Sequence, residues 1–299
     1  MRSQSRAYFF ALAAILCWST VASAFKLTLG EIGVGELLLV STWTSLAVLV
    51  LIAAAQKKLT AIRAWPSTEW RHSALLGILN PFLYYLVLFR AYDLLPAQEA
   101  QPLNYTWPII LVLLSALILR QRLRWYSAIA MTASFAGVIV ISTRGDLASL
   151  KFTSVEGVVL AVGSSLLWAL YWIFNMRSGA EQILKLMANF IFGGIYVGIA
   201  YLFLPGKEPL TIIGTLGAMY VGVFEMGLTF VFWLQALKLS SSTDRVSNLV
   251  YLSPFLSLIV IHFVVGEAIF LSTVTGLVLI VSGIIMQKGG EYWIDGETV

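Results

Sequence analysis

An internal repeat constrains the fold of this chain more strongly than any other feature of its sequence. Pro108 is followed thirteen positions later by Gln121, and Pro254 is followed thirteen positions later by Glu267. The two prolines lie 146 residues apart in a chain of 299 residues. A repeat of this length is too large for a solenoid, so we predict a duplicated unit.

Further pairs of residues recur at nearly the same offset. They are Gly77 and Gly222, Ala91 and Ala236, Tyr105 and Tyr251, Gly137 and Gly283, and Trp18 and Trp168. The tryptophan pair has an offset of 150 residues, which indicates that a few residues were inserted or lost early in one half. We therefore expect a first repeat at residues 1–148 and a second repeat at residues 149–299.

The composition indicates that both repeats lie in a membrane. Hydrophobic residues make up 59% of the chain and charged residues only 11%, whereas an ordinary soluble domain is about 25% charged. Between short charged runs lie continuously apolar stretches of about 20 residues, long enough to cross a hydrocarbon core of ~30 Å as helices. Strands of a membrane barrel would instead alternate in polarity. The predicted spans are residues 8–28, 35–55, 73–91, 98–118, 126–143, 156–176, 182–204, 211–236, 247–265 and 270–288.

The distribution of cations predicts how these ten spans are oriented. With a cytoplasmic N-terminus, most of the 19 lysine and arginine residues fall on the cytoplasmic side, as the positive-inside rule requires. Each half has an odd number of spans, so the second half enters the membrane from the opposite side. We therefore predict an all-α integral membrane protein with ten transmembrane helices, arranged as two inverted five-helix repeats, with both termini in the cytoplasm.

Several chemistries are not represented in the sequence. It has no G-x-x-x-x-G-K-[ST] loop for ATP and no H-E-x-x-H motif, and one cysteine with two distant histidines cannot form a zinc site. The net charge of +4 follows from the membrane topology, and no basic stripe indicates a nucleic-acid partner. We expect no catalytic residue, no cofactor and no metal. The expected partners are a small-molecule substrate and the lipid bilayer, and a monomer is among the assemblies that the sequence allows.

Polar and aromatic side chains within the spans are the candidates for substrate binding, because placing polar groups in a membrane is costly. Aromatic faces beside amide and hydroxyl groups suit an organic ligand that is partly flat and partly polar. The candidates are Trp18, Asn80, Tyr84, Gln101, Asn104, Tyr105, Trp107, Trp168, Trp172, Asn175, Glu225, Asn248 and Tyr251. Pro108 and Pro254 release backbone carbonyls in the fourth and ninth spans, so we expect hinges there.

The same residue types also have structural interpretations. Asn80 and Asn104 are equally compatible with hydrogen bonds that only join helices, and Glu225 is compatible with a protonated structural carboxyl group. A tryptophan in a membrane protein is often an interface anchor. For Trp107 and Trp168, which lie well inside their spans, we favour contact with the ligand. The anchor interpretation is assigned to Trp65, Trp70, Trp125 and Trp293.

These features together resemble the drug/metabolite transporter superfamily, and within it the EamA-type branch. Trp18 and Trp168 match the tryptophan in the opening helix of each half, and Pro108 and Pro254 match the proline of the fourth helix. Gly266-Glu267 matches the Gly-Glu pair that closes this helix in the family. The first half departs from the pattern with Arg120-Gln121, so a paired role for the acid is not expected.

The resemblance extends over the whole chain and is strongest to bacterial inner-membrane exporters of aromatic amino acids. It implies a central cavity lined by the third, fourth, eighth and ninth helices and flanked by the first and sixth. The cavity would open to one side of the membrane at a time. The resemblance also implies a location in the bacterial inner membrane.

The charges within the spans narrow the class of cargo. Phosphorylated cargo needs fixed cations, but Lys26 and Arg90 lie only near the ends of their spans. The small multidrug relatives use a carboxylate in the first helix, which this chain lacks. We therefore expect an exporter of amino acids, preferentially aromatic or other apolar ones. Two alternatives are a broad exporter of lipophilic metabolites or drugs on the same fold, and a membrane enzyme or receptor, for which no catalytic cluster is found.

Overall fold

The computed structural model describes residues 4–118, 125–147, 152–175, 177–203, 209–240 and 248–293, and over these residues it is helical with no strand. By length and composition, eight helical stretches of the described residues are able to cross a membrane. They are Gln4–Leu29, Val34–Ala55, Ser67–Leu94, Ala97–Ile118, Trp125–Ser142, Val155–Asn175, Gln182–Phe203 and Ile212–Leu239. Two shorter apolar stretches, Leu249–Val265 and Leu271–Met286, lie where the ninth and tenth spans were expected. The all-helical membrane architecture is confirmed, and the inverted arrangement of ten spans stays a prediction.

The helices of the first half are numbered in chain order. They are α1 Gln4–Leu29, α2 Val34–Ala55, α3 Ser67–Gly77, α4 Tyr84–Leu94, α5 Ala97–Asn104, α6 Trp107–Ile118 and α7 Trp125–Ser142. A short 3₁₀ turn, Leu59–Ala64, precedes α3.

The second half continues the numbering. Its helices are α8 Val155–Asn175, α9 Gln182–Phe203, α10 Ile212–Tyr220, α11 Thr229–Leu239, α12 Ser253–Val260 and α13 Leu271–Trp293. Gln121 lies outside the described residues, as does the segment just before Asn248.

The third and eighth spans are each interrupted by a π-helical segment. Ile78–Leu83 joins α3 to α4, and Val221–Leu228 joins α10 to α11. Within the first segment the backbone of Asn80 is extended, with φ −146° and ψ 121°. Glu225 lies within the second. Since π-helical segments within α-helices are frequent at functional sites, the two breaks mark these polar residues for attention.

The fourth span is broken between α5 and α6. Since α5 ends at Asn104 and α6 begins at Trp107, Pro108 is the second residue of the new helix. Proline is tolerated there because the first turn of a helix needs no N–H donor. The Asn104 carbonyl, which a continuous helix would bond to residue 108, instead accepts a hydrogen bond of 2.7 Å from the Ser165 hydroxyl of α8.

The ninth span changes its helical geometry at the equivalent place. A 3₁₀ turn at Asn248–Leu252 leads into α12, which begins at Ser253 and has Pro254 as its second residue. Each proline therefore opens the second helical segment of its span. The break lies immediately before Pro108 and at the junction immediately before Pro254, rather than at the prolines themselves.

The helices α7 and α13 pack closely through glycines. A Cβ added to Gly137 would lie 2.5 Å from the carbonyl oxygen of Gly276, and one added to Gly283 would lie 2.6 Å from that of Ala130. Real Cβ atoms do not approach a carbonyl this closely, so both positions require glycine for the backbones to meet. Ala130 and Gly276 have the same offset of 146 residues as the two glycines.

Contacts between the halves place the candidate site. Helix α1 packs against α11 and α12 of the second half, while α8 packs against α4, α5 and α6 of the first half. The third span approaches α9 at Gly77, and the eighth span approaches α2 at Gly222. The interior of the bundle is thus formed by helices of one half facing helices of the other.

Candidate functional site

An aromatic cluster surrounds Trp168 in the interior of the bundle. Its ring centroid lies 4.7 Å from that of Tyr84, 5.6 Å from Phe230, 5.7 Å from Trp172 and 6.0 Å from Tyr171. These distances are typical of interacting aromatic pairs. Only 9% of the Trp168 surface is exposed, so this tryptophan faces other protein side chains and is not an anchor at the membrane surface.

Glu225 joins this cluster through a tyrosine. The Tyr85 hydroxyl donates to Glu225 Oε1 at 3.1 Å, and the Tyr85 ring lies 4.7 Å from the ring of Tyr84. The carboxyl group is buried, with 6% of the residue exposed. Its second oxygen, Oε2, has no hydrogen-bond partner. A buried carboxyl group with one free oxygen is suited to receive a hydrogen-bond donor from a ligand.

A second set of polar groups adjoins Trp168 through Tyr171. The Asn189 side-chain amide of α9 donates to the Tyr171 hydroxyl at 3.2 Å, and its own oxygen has no partner. Asn80 is fully buried and faces the Tyr171 hydroxyl. Neither amide atom of Asn80 makes a hydrogen bond of normal geometry. The rings are thus flanked by polar atoms that remain available.

Asn104 stabilises the broken fourth span. Its side-chain amide donates to the Ser164 hydroxyl at 2.8 Å, and its carbonyl accepts from Ser165 as described above. The Thr106 hydroxyl is 3.1 Å from the Ser165 hydroxyl. In this conformation Asn104 joins two helices, which is the structural alternative given above for this residue.

Other predicted residues make their described contacts with residues other than Trp168. The Trp18 ring contacts Trp233 of α11 at 5.4 Å. Trp107 is partly buried against the apolar core. Asn175, at the end of α8, is buried, and its backbone carbonyl accepts a hydrogen bond of 2.8 Å from Lys185. That lysine is itself buried but lies at a helix end, where it also donates to the Ser178 carbonyl at 3.0 Å.

The remaining candidates belong to the fourth and ninth spans. Gln101 is buried within α5, and its side-chain oxygen has no partner. Tyr105 is half-buried at the break, and Tyr251 is buried in the 3₁₀ turn that precedes α12. The side chain of Asn248 lies outside the described residues. The structure therefore brings Tyr84, Trp168 and Trp172 together and joins Asn80 and Glu225 to them through tyrosines. Asn104 also contacts Tyr84, whereas the ring contact of Trp18 is with Trp233.

Several helix ends are tied together on the side that we expect to face away from the cytoplasm. Glu267 accepts hydrogen bonds from the backbone N–H groups of Ala97, at 2.8 Å, and Gln98, at 3.1 Å. A carboxylate is stabilised there by the free N–H groups and the positive end of the α5 dipole. Lys26 donates at 2.9 Å to each of two carbonyls at the end of α4. These contacts hold the ends of the first, third, fourth and ninth spans together.

A cavity of about 370 Å³ opens beside these contacts. The buried carboxyl group of Glu99 accepts a hydrogen bond of 2.8 Å from the Arg144 guanidinium group at its edge. The cavity is lined by Lys26, Leu94, Leu95, Pro96, Gln98, Arg144, Glu267, Ala268 and Phe270. Lys26 and Glu267 are engaged with helix ends, and Arg144 is engaged with Glu99. Because its charged side chains already have partners, we do not assign a specific binding site to this cavity.

Sequence reasoning missed five residues that the structure places around the site. They are Tyr85, Ser165, Tyr171, Asn189 and Phe230. Asn189 could have been found by the rule that selected Asn80, since both are amides within apolar spans. Tyr85 lies next to the candidate Tyr84 in the sequence, but the direction in which it faces depends on the π-helical segment before it, which the sequence did not reveal.

Comparisons with known proteins give a consistent result. The EamA-like transporter family matches residues 5–143 and 155–287. A protein of Ancylobacter novellus named aromatic amino acid exporter YddG is 28% identical over 264 residues, covering 85% of this chain and 87% of that protein. An uncharacterized transporter of Bacillus subtilis, YvbV, is 24% identical over 240 residues, which are 79% of this chain and 77% of that protein.

Two further comparisons concern a relative and a solved structure. A probable terminal-alkyne amino-acid exporter of Streptantibioticus cattleyicolor is 25% identical over 277 residues, with 88% of this chain and 86% of that protein covered. A crystal structure with 24% sequence identity has the same fold, with a TM-score of 0.65 over 95% of this chain and 97% of that chain. Because the family match covers most of the residues in both halves, the chain belongs to the EamA-like transporter family and is a multi-pass membrane transporter of small molecules rather than an enzyme.

Proposed function

We propose that the protein exports amino acids, preferentially aromatic or other apolar ones, by alternating access. The observation that carries this proposal is the aromatic cluster around Trp168, with the buried carboxyl group of Glu225 joined to it through Tyr85. Aromatic faces suit the side chain of such a cargo, and a carboxyl oxygen suits its ammonium group. The two relatives named as amino-acid exporters support the same class of cargo.

Alternating access needs two related halves that move against each other, and we propose that these are the repeats 1–148 and 149–299. The contact between α7 and α13 supports an inverted arrangement. Gly137 contacts Gly276, and the equivalent Gly283 contacts Ala130. An interface in which equivalent residues exchange roles is typical of a two-fold axis. For an odd number of spans in each half, that axis lies in the membrane plane.

The breaks in the fourth and ninth spans are the proposed hinges. Both spans begin a new helical segment one residue before a proline. Helices interrupted in this way are typical of transporters, in which the freed backbone groups line the binding region. We propose that the segments on either side of Pro108 and Pro254 change their angle when the cavity opens to one side.

The membrane location and the orientation of the protein are also proposals. We propose the bacterial inner membrane, with both termini in the cytoplasm. The cation distribution supports this orientation. The contacts of Glu267 and Lys26 then lie on the periplasmic side. Since they hold the outer helix ends together, the present conformation is best described as closed towards that side.

A second candidate function is a broad exporter of lipophilic metabolites or drugs. The apolar character of the cluster favours it, because the rings of Tyr84, Trp168 and Phe230 bind flat molecules without regard to their other groups. This candidate and the leading one differ in whether natural amino acids are transported at all.

Transport by purified protein in liposomes separates the two. Phenylalanine and tryptophan should enter liposomes that contain the protein well above the rate for empty liposomes, and sugar phosphates should not compete. Transport of lipophilic dyes without any transport of amino acids would favour the second candidate. Strong competition by a phosphorylated compound would contradict the argument from the missing cations.

A further inference from the structure

The polar atoms around the aromatic cluster are mostly hydrogen-bond acceptors. Glu225 Oε2 and Asn189 Oδ1 are buried without a partner. Asn80, which faces the Tyr171 hydroxyl, adds an acceptor, Oδ1, and a donor, Nδ2, neither of which makes a hydrogen bond of normal geometry. Buried polar groups without partners are unfavourable, so this set favours a ligand that brings donors.

The two charged groups of an amino acid differ in the hydrogen-bond donors and acceptors that they bring to these polar atoms. An ammonium group has three N–H donors and no acceptor, whereas a carboxylate has only acceptors. Two lysines that lie near the ends of the described spans already have hydrogen-bond partners. Lys26 and Lys185 each donate to two backbone carbonyls at helix ends. Within the part of the chain that the structure describes, no lysine or arginine makes a hydrogen bond, an ion pair or a ring contact with the residues of the cluster.

The rings themselves also favour a cation. The face of an aromatic ring carries partial negative charge, and tryptophan binds cations best among the aromatic side chains. The Trp168 ring packs against those of Tyr84 and Phe230, and Tyr84 in turn packs against Tyr85, the partner of the Glu225 carboxyl group. A carboxyl group beside several rings is an environment for an organic ammonium ion.

We propose that the site recognises its cargo through the ammonium group and the aromatic ring, and that the carboxylate of the cargo is dispensable. The proposal rests on the transport function given above and extends the substrate class to arylalkylamines. Glu225 receives the ammonium group through Oε2, its oxygen without a partner. The ring of the cargo packs among those of Trp168, Tyr84 and Phe230.

Competition by two analogues of phenylalanine tests this directly on the unaltered protein. Phenethylamine keeps the ring and the ammonium group but lacks the carboxylate, and 3-phenylpropionate keeps the ring and the carboxylate but lacks the ammonium group. Both are added to liposomes that take up labelled phenylalanine. We expect phenethylamine to compete within about tenfold of unlabelled phenylalanine and 3-phenylpropionate to compete far less.

A pair of matched variants tests the assigned residue. Glu225→Gln removes the charge but keeps the shape. Glu36→Gln makes the same change at another buried carboxyl group, which accepts a hydrogen bond of 3.0 Å from the Tyr201 hydroxyl, far from the cluster in α2 and α9. Glu225→Gln should weaken competition by phenethylamine about tenfold or more, since it removes a charge-assisted hydrogen bond. Glu36→Gln should leave it within about twofold.

The outcomes separate this inference from the proposed function. If phenylalanine is transported and 3-phenylpropionate competes as well as phenethylamine, the inference is overturned and the transport function stands. If Glu225→Gln and Glu36→Gln act alike on phenethylamine, Glu225 is not the receptor. If labelled phenethylamine is transported in a manner that depends on Glu225 while phenylalanine is not, the inference stands and the amino-acid function fails.

Discussion

The two halves of the molecule share their backbone breaks but differ in the side chains at those breaks. The third and eighth spans both contain a π-helical segment, yet the first carries Asn80 and the second carries Glu225 at the equivalent position. The fourth and ninth spans both start a new segment before a proline. On the proposed mechanism, the backbone features kept in both halves serve the movement that both make. The side chains that differ then serve a single asymmetric cargo.

The fourth and ninth spans show the same contrast in finer detail. At the break in the first half, the hydroxyl group of Ser165 in the sixth span donates a hydrogen bond to the Asn104 carbonyl, for which Pro108 has no N–H group. With the offset of the tryptophan pair, the residue of the first span equivalent to Ser165 is Ile15, which has no hydroxyl group. The first break is therefore held by a side chain of the second half, and the first half offers no hydroxyl group at the equivalent position for the second break.

The largest expected effect tests what the halves share. Gly137→Ala and Gly283→Ala each place a Cβ against a backbone carbonyl, which α7 and α13 relieve only by moving apart. Overpacking of this kind costs about 1–3 kcal/mol. Thermal unfolding of the purified variants in detergent should show two similar decreases in melting temperature.

Equal losses would be consistent with an interface related by a two-fold axis. Gly163→Ala in α8 is the control, because an added Cβ there meets no atom within 4 Å. A large loss for one of the two glycine variants with none for the other would break the equivalence.

A smaller effect tests where the halves differ. Trp168 contacts four rings, whereas its equivalent Trp18 contacts Trp233. An aromatic contact contributes about 0.5–1.5 kcal/mol beyond area burial, so Trp168→Ala should lower the apparent affinity for aromatic amino acids about three- to tenfold. Trp18→Ala should lower it less. The measurement is the concentration dependence of uptake into liposomes.

Trp125→Ala is the control for this comparison, because 66% of Trp125 is exposed on the bundle surface. Both interior variants must be compared at equal amounts of inserted protein. Normal transport by Trp168→Ala together with a loss in Trp125→Ala would mean that the cluster is structural and that the site lies elsewhere.

The smallest expected effect concerns the broken fourth span. Ser165→Ala leaves the Asn104 carbonyl without its partner, but in a Pro108→Ala background the new N–H of residue 108 can take its place. A double-mutant cycle on the melting temperature should therefore give a coupling of about 0.6 kcal/mol, the average for such bonds in a membrane protein. Additive stability effects of Ser165→Ala and Pro108→Ala would contradict the exchange of hydrogen-bond partners at the Asn104 carbonyl.

Both proline variants, Pro108→Ala and Pro254→Ala, should impair transport more than insertion. Full transport by both proline variants would contradict the proposed hinges.

The sequence was sufficient for the membrane class and for most helix positions, because apolar runs of this length have few other uses. The repeat offset also identified the positions where breaks occur, through prolines whose missing N–H groups leave a direct trace in the sequence. The π-helical segments around Asn80 and Glu225 left no such trace, since they depend on how neighbouring helices pack.

The same limit explains which site residues were found. Trp168 and Glu225 stood out because a large aromatic or a carboxyl group in the middle of a span is unusual by itself. Tyr85, Tyr171 and Asn189 matter through their contacts with other helices. A single sequence does not specify those contacts, because each depends on the rotation of two helices about their axes. Trp18 and Trp168 were both selected as the tryptophans of equivalent spans, and their ring contacts in the structure differ.

The contacts that form the site have a consequence for biogenesis. Tyr84 meets Trp168, Asn104 meets Ser164, and Tyr85 bonds Glu225 from a position 140 residues earlier in the chain. Each of these contacts joins the half that is synthesised first to the half that is synthesised second. Until the eighth span has entered the bilayer, Tyr85 lacks this partner, and the cluster cannot close. If this cluster is the binding site, as proposed, the ability to bind cargo arises only after the two halves have docked in the membrane, and neither half made alone should possess it.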